Sequence, residues 1–171
     1  MEHDTSTRRA VVAVLTVSDS RSLEDDRSGK IAVDELEKAG HSIVARELVH
    51  DEHAAIVAMV ARWAADDSVD AIVVTGGTGP SRRDVTPEAV LPLMAASMPG
   101  FGEIFRQLSY EEIGAAAMLS RAEAGWIDVG DLRTPIFLLP GSPKAVTLAM
   151  QKLIVVQLGH LLDVCTLELK T

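Results

Sequence analysis

The sequence predicts an α/β fold built on a mainly parallel sheet. Short apolar runs have the length of buried strands, and helical apolar spacing fills the gaps between them. Strand and helix alternate about every thirty residues, the size of a βαβ unit. Parallel neighbours need crossovers of that size, and such crossovers are right-handed.

Val11–Val17 is an apolar run closed by Ser18, Asp19, Ser20 and Arg21, and reads as a fully buried strand. Ser28 is the expected cap of the next helix, where Ala32, Leu36 and Ala39 keep helical spacing and Gly40 ends it. Ser42–Val49 is a second strand. Ile56, Met59, Val60 and Trp63 then share one helix face. Ala71–Thr75 is a third buried strand. Thr86 before Pro87 and Glu88 predicts a helix start with a hydroxyl cap. Pro99 and Gly100 break the chain, and a helix is expected over 103–108. Residues 114–130 admit either a strand pair or a helix plus a strand, which leaves room for an antiparallel edge strand. Residues 136–139 form the last strand, and Pro143 opens a long helix with Val146, Met150, Leu153 and Ile154 inward.

The 171 residues suit one domain over 10–165, with a tail over 1–9 and a second over 166–171. Hydrophobic residues make up 47% of the chain and aromatics only 4%, so Ala, Val, Leu and Ile must fill the core. That suits strands covered by helices on both faces. The formal net charge of −9 argues against a general nucleic-acid binder, which needs clustered Lys and Arg. Cys165 is the single cysteine, so an intrachain disulfide is excluded. The charged N-terminus does not read as a signal peptide, and no apolar run of membrane-spanning length is expected. The expected location is the cytoplasm.

In open α/β sheets ligands sit outside the carboxyl ends of the strands. Four loops qualify: 18–28, 50–53, 75–87 and 140–144. The third carries Gly76, Gly77, Thr78 and Gly79 directly after Thr75. Three glycines in four residues let backbone N–H groups converge on a phosphate, although a tight turn explains them equally well. Arg82, Arg83 and Asp84 follow, a basic pair and a carboxylate in reach of an anion. Asp51 lies in the second loop, just past the second strand. It either caps the helix after it or converges with Asp84 on a divalent ion beside substrate phosphates, and both roles can coexist. The fourth loop, Gly141, Ser142, Pro143 and Lys144, permits close backbone approach and adds a charge, or is a plain turn. Ser18, Asp19, Ser20 and Arg21, like Ser120 and Arg121, either touch a ligand or organise turns.

In order along the chain, Leu15-Thr16-Val17-Ser18-Asp19-Ser20, Asp26-Arg27-Ser28-Gly29, Asp51-Glu52, Thr75-Gly76-Gly77-Thr78-Gly79, Arg83-Asp84-Val85-Thr86-Pro87-Glu88-Ala89, Pro99-Gly100-Phe101-Gly102, Leu119-Ser120-Arg121 and Leu139-Pro140-Gly141-Ser142-Pro143-Lys144 resemble the Mog/MoaB family of molybdopterin adenylyltransferases. The resemblance covers roughly residues 10–165. It implies a three-layer α/β/α fold, a trimer or a hexamer made of two trimers, and ATP, Mg²⁺ and molybdopterin as ligands. It implies that Asp51 and Asp84 are the catalytic and metal-binding pair. Molybdopterin contacts would fall on Ser18, Asp19, Thr75, Gly76, Gly77, Thr78, Gly79, Ser120 and Arg121, and nucleotide contacts on Gly141, Ser142, Pro143 and Lys144. A molybdenum-insertion protein is the implied downstream partner. The family's usual proline before the first catalytic aspartate is His50 here. The stretch Pro99–Ile113 and the C-terminal end resemble the MoaB branch, so the alternative is a catalytically silent molybdopterin carrier or scaffold.

Overall fold

The computed structural model describes residues 7–167, with the side chains of 166 and 167 outside the description. Among the described residues six strands form one sheet: β1 (Val11–Val17), β2 (Ser42–Val49), β3 (Ala71–Thr75), β4 (Ala96–Ser97), β5 (Glu123–Val129) and β6 (Leu132–Leu139). Their spatial order is β2-β1-β3-β6-β5-β4. β1 runs parallel to both β2 and β3, and β3 runs parallel to β6. β5 is antiparallel to β6 and to the short edge strand β4. The antiparallel part of the sheet thus comprises β5, inside the stretch whose sequence was ambiguous, and β4 at the edge, which precedes that stretch.

Strand residues alternate between two cores, as the period-two geometry of a strand requires. Val12, Val14, Val73, Phe137 and Leu139 face one layer. There they meet α1 (Arg27–Lys38), α4 (Pro99–Ile113) and the C-terminal helices α5 (Pro143–Ala149) and α6 (Val155–Leu167). Ala13, Leu15, Val17, Ile72, Val74, Ile136 and Leu138 face the other, with α2 (His53–Ala64) and α3 (Thr86–Val90). Helices therefore cover both faces of the sheet in three layers.

Several local expectations change. Asp26, not Ser28, caps α1: its Oδ1 accepts from the Gly29 N–H at 2.9 Å. Ser28 is buried and donates its hydroxyl to the Gly141 carbonyl at 2.8 Å. Val85, not Thr86, occupies the cap position of α3, a helix of only 5 residues. α4 is much longer than 103–108, because Pro99 sits in its first turn, where no N–H is needed. A 3₁₀ turn, Gly114–Leu119, follows it. The helical run Pro143–Cys165 has 23 residues with mean hydropathy 1.5, which by length and composition could cross a membrane, contrary to expectation. Here Val146, Ala149, Met150, Ile154, Leu158 and Leu162 bury one side of it in the core. Between α5 and α6 the winding widens into a π turn, Met150–Ile154.

At the end of the segment read as an N-terminal tail, Arg8 donates to the Leu162 carbonyl at 3.0 Å and Arg9 to the Gly40 carbonyl at 2.8 Å. Residues 1–6 and 168–171 lie outside the described residues, while 166 and 167 continue α6.

Candidate functional site

Strands β1, β2, β3 and β6 all end at one edge of the sheet, and β5, running the other way, begins there. The loops at that edge enclose an open cleft of about 570 Å³. β1 contributes Val17, Ser18, Asp19, Ser20 and Arg21; β2 contributes Asp51. After β3 come Gly76, Gly77, Thr78, Gly79 and Asp84, and after β6 come Pro140, Gly141 and Ser142. Ser120 enters from the segment just before β5.

The glycine loop is pinned from below. Thr86, buried at the start of α3, donates its hydroxyl to the Gly76 carbonyl at 2.9 Å, and its N–H donates to the Gly77 carbonyl at 3.0 Å. Gly76 and Gly77 have φ of +100° and +64°, a region that side-chain-bearing residues adopt at a cost. A Cβ at Gly76 would collide with the Val17 carbonyl, and one at Gly77 with the Thr86 hydroxyl. The loop is therefore pressed tightly onto β1 and α3, with its small residues turned to the cleft.

The charges at the mouth are arranged in opposition. Arg83 donates to the Asp19 carboxylate through Nε at 3.0 Å and through Nη2. That hydrogen bond, with the guanidinium charge, holds the Asp19 carboxyl below its ordinary pKa. Asp19 Oδ1 also accepts the Asp51 N–H at 3.1 Å. Asp51 moves the other way: burial first, then the neighbouring charges of Asp19 and Asp84, push its carboxyl above the usual range, against a lowering pull from Arg83. Its Oδ1 is buried and accepts no hydrogen bond among the described residues.

A buried carboxylate oxygen without a donor, beside a second carboxylate in the same cleft, fits a divalent cation. Asp51 and Asp84 would hold it. Among the described residues there is no cluster of three or more His, Cys, Asp or Glu side chains able to form a protein-only cage. Mg²⁺ typically takes one or two carboxylates and fills its remaining positions with water and substrate phosphate oxygens, so the pair is consistent with that ion.

Of the residues singled out from sequence, the cleft brings together Ser18, Asp19, Asp51, Gly76, Gly77, Thr78, Gly79, Asp84, Ser120, Gly141 and Ser142. Thr75, Arg121, Pro143 and Lys144 stand outside its lining, as do the exposed Arg82 and Arg83. Thr75 is buried in β3 and donates its hydroxyl to the Pro140 carbonyl at 3.0 Å. Arg121 spends its guanidinium on protein carbonyls and on Glu88. Pro143 and Lys144 turn to a neighbouring groove shared with Glu112, Thr147 and Lys152. Val17 and Pro140 line the cleft although no role was expected of them, and Ser20 and Arg21, read as touching a ligand or organising a turn, line it too. Arg21 donates to the Gly141 carbonyl at 3.2 Å, bridging the first and fourth loops. Its signal was a cation within the loop that closes β1.

A sequence profile described as "probable molybdopterin binding domain" matches residues 13–160. The chain belongs to that family. Among its relatives, molybdenum cofactor biosynthesis protein B of Bacillus subtilis strain 168 is 51% identical over 148 residues, covering 86% of this chain and 85% of the relative. The protein of the same name from Escherichia coli K12 is 45% identical over 147 residues, covering 86% and 84%. The crystal structure of the tungsten cofactor synthesizing protein MoaB from Pyrococcus furiosus superposes with a TM-score of 0.83 at 34% identity, over 92% of this chain and 98% of that one. Within this molybdopterin-binding family the described cleft lies wholly between the first and last matched residues.

Proposed function

We propose that this member of the molybdopterin-binding family works in molybdenum cofactor biosynthesis, transferring AMP from ATP to the terminal phosphate of molybdopterin with release of pyrophosphate. The observation that carries the reading is Asp51: a buried carboxylate oxygen without a donor, in one cleft with Asp84 and the glycine loop. The family and the relatives' names support the pathway.

A phosphate oxygen of the pterin forms a bond to the α-phosphorus of ATP. The bond from that phosphorus to the bridging oxygen breaks, and its electron pair leaves with pyrophosphate. The nucleophile is already an anion, so the chain needs no covalent intermediate. Its work is positioning and charge neutralisation. Gly76, Gly77 and Gly79 let a phosphate approach the backbone, and the hydroxyls of Ser18 and Ser120 offer donors beside it. Gly141, packed against Gly76, and Ser142 beside it line the same cleft and would take the nucleotide. Asp51 and Asp84 would hold Mg²⁺, which when bound neutralises charge on the phosphate oxygens. The product would pass to a molybdenum-insertion protein.

Assembly into a trimer or a hexamer belongs to the same reading. An apolar groove of about 630 Å³ runs between α4 and α6, where Ile104, Val156 and Val164 are exposed. Light scattering tests it.

The B-type names of the relatives favour a second reading, a silent molybdopterin carrier. Pyrophosphate release with ATP, Mg²⁺ and molybdopterin separates the two. The enzyme shows pterin-dependent release, and the carrier shows none.

A further inference from the structure

Arg121 lies beside the cleft but is turned into the protein. Its backbone N–H donates to the Thr78 carbonyl at 3.1 Å. Its Nε donates to the Gly79 carbonyl at 3.0 Å and its Nη2 to the Asp84 carbonyl at 2.6 Å. Its Nη1 pairs with the Glu88 carboxylate in the first turn of α3. One side chain thus ties the start of the turn, its end and the helix after it.

Between those anchors the turn closes on itself. Asp84 N–H donates to the Ser81 carbonyl at 3.0 Å, and Asp84 Oδ2 accepts from the Ser81 N–H at 3.1 Å. A Cβ on Gly79 would stand 2.9 Å from Asp84 Oδ2. The Asp84 carboxylate therefore depends on where residues 79 and 84 hold their backbone, and both of those carbonyls accept from the same guanidinium. A planar fork with five N–H donors serves three separated acceptors at once; a lysine ammonium is a point charge that cannot.

We infer that Arg121 is a positioning residue for Asp84, a strut that fixes the 79–84 turn, and does not contact the substrate. The inference rests on the reading of Asp84 given above. It assigns the Ser120-Arg121 segment two jobs: Ser120 faces the cleft, and Arg121 braces its wall. It also gives a reason for the antiparallel β5, whose starting end brings the guanidinium to the carboxyl edge of the parallel strands.

The test is Arg121→Lys in the full chain, which keeps the charge and removes the fork. A strut predicts that kcat falls about tenfold to a hundredfold, as misplacement of a catalytic group does. KM and the molybdopterin Kd should stay within about twofold, and Mn²⁺ binding measured by calorimetry should weaken. A substrate contact predicts the opposite split, a raised KM and pterin Kd with Mn²⁺ affinity unchanged, and that result overturns the inference. If Arg121→Lys does not fold, Glu88→Gln removes one anchor and carries the same comparison: a lowered kcat with pterin affinity kept supports the strut, and an unchanged kcat overturns it. A wild-type chain without AMP transfer sinks the adenylyltransferase reading alone. Amide exchange across residues 79–86 then decides the strut, with faster exchange in Arg121→Lys supporting it and identical exchange overturning it.

Discussion

Asp51 and Asp84 each stand against a glycine of one loop: a Cβ on Gly77 would lie 2.7 Å from Asp51 Oδ1, and one on Gly79 would lie 2.9 Å from Asp84 Oδ2. The glycine loop is thus shaped around two carboxylates. Asp84→Asn removes one charge with almost no change of volume. AMP transfer should fall at least about a thousandfold, while molybdopterin still binds. Turnover at the wild-type rate would remove Asp84 from the chemistry.

The two glycines should respond differently to alanine. Gly77 is at positive φ and its Cβ would meet Thr86 and Asp51. Gly77→Ala should cost about 1–2 kcal/mol from the backbone alone, and lower Tm by roughly 2–8 °C. Gly79 lacks that conformational demand, and its Cβ meets mainly the Asp84 carboxylate. Gly79→Ala should leave Tm within about 2 °C yet cut kcat about tenfold or more. Thermal melts beside steady-state kinetics distinguish the two.

The raised Asp51 carboxyl sets a pH dependence of stability. A carboxyl whose folded pKa exceeds its unfolded value binds protons more readily in the folded state. Stability therefore falls as pH rises from the ordinary carboxylate range through the raised pKa, and stays lower above it. Asp51→Asn removes this burden. Its Tm should exceed that of the wild type at pH 7, with the gap closing at acid pH. A gap of the same size at both pH values would mean that charge is not its cause.

Activity should titrate with Asp51 on the acid side, and the neighbouring charges set the direction. Arg83 lowers the Asp51 carboxyl and Asp19 raises it. Arg83→Ala should therefore move the acid limb of kcat/KM to higher pH, and Asp19→Asn should move it to lower pH. Shifts in the same direction would separate that limb from Asp51.

Mg²⁺ should stabilise the wild-type chain and leave Asp51→Asn nearly unmoved. A ligand at a hundred times its Kd adds about 2.7 kcal/mol. Equal Tm gains in both proteins would place the ion elsewhere.

The parallel strands and their covering helices were legible because β1, β3 and β6 carry apolar runs of the right length, and because Ile56, Met59, Val60 and Trp63 keep one face. The hydroxyls of Ser28 and Thr86 were misread for a common reason. A Ser or Thr before a helix carries the same local signal whether it caps the helix or reaches a distant carbonyl, and here they reach Gly141 and Gly76. β4, two residues long, has no period to detect. The direction of β5 was equally hidden, since alternation has no polarity. Asp51 and Asp84 share the cleft because β2 and β3 flank β1. Sequence order suggested that neighbourhood, and the pairing of strands decides it.

The π turn at Met150–Ile154 phases the end of the chain. Each residue of an α-helix advances about 100° around the axis. Winding the same residues as a regular α-helix, with none removed, would rotate the rest of α6 by about that angle. Leu158 and Leu162 would swing out of the core toward water, and the exposed side bearing Val156 and Val164 would turn with them. A single wide turn thus keeps the inner and outer apolar flanks of the last helix in step by absorbing one residue more than a regular turn holds.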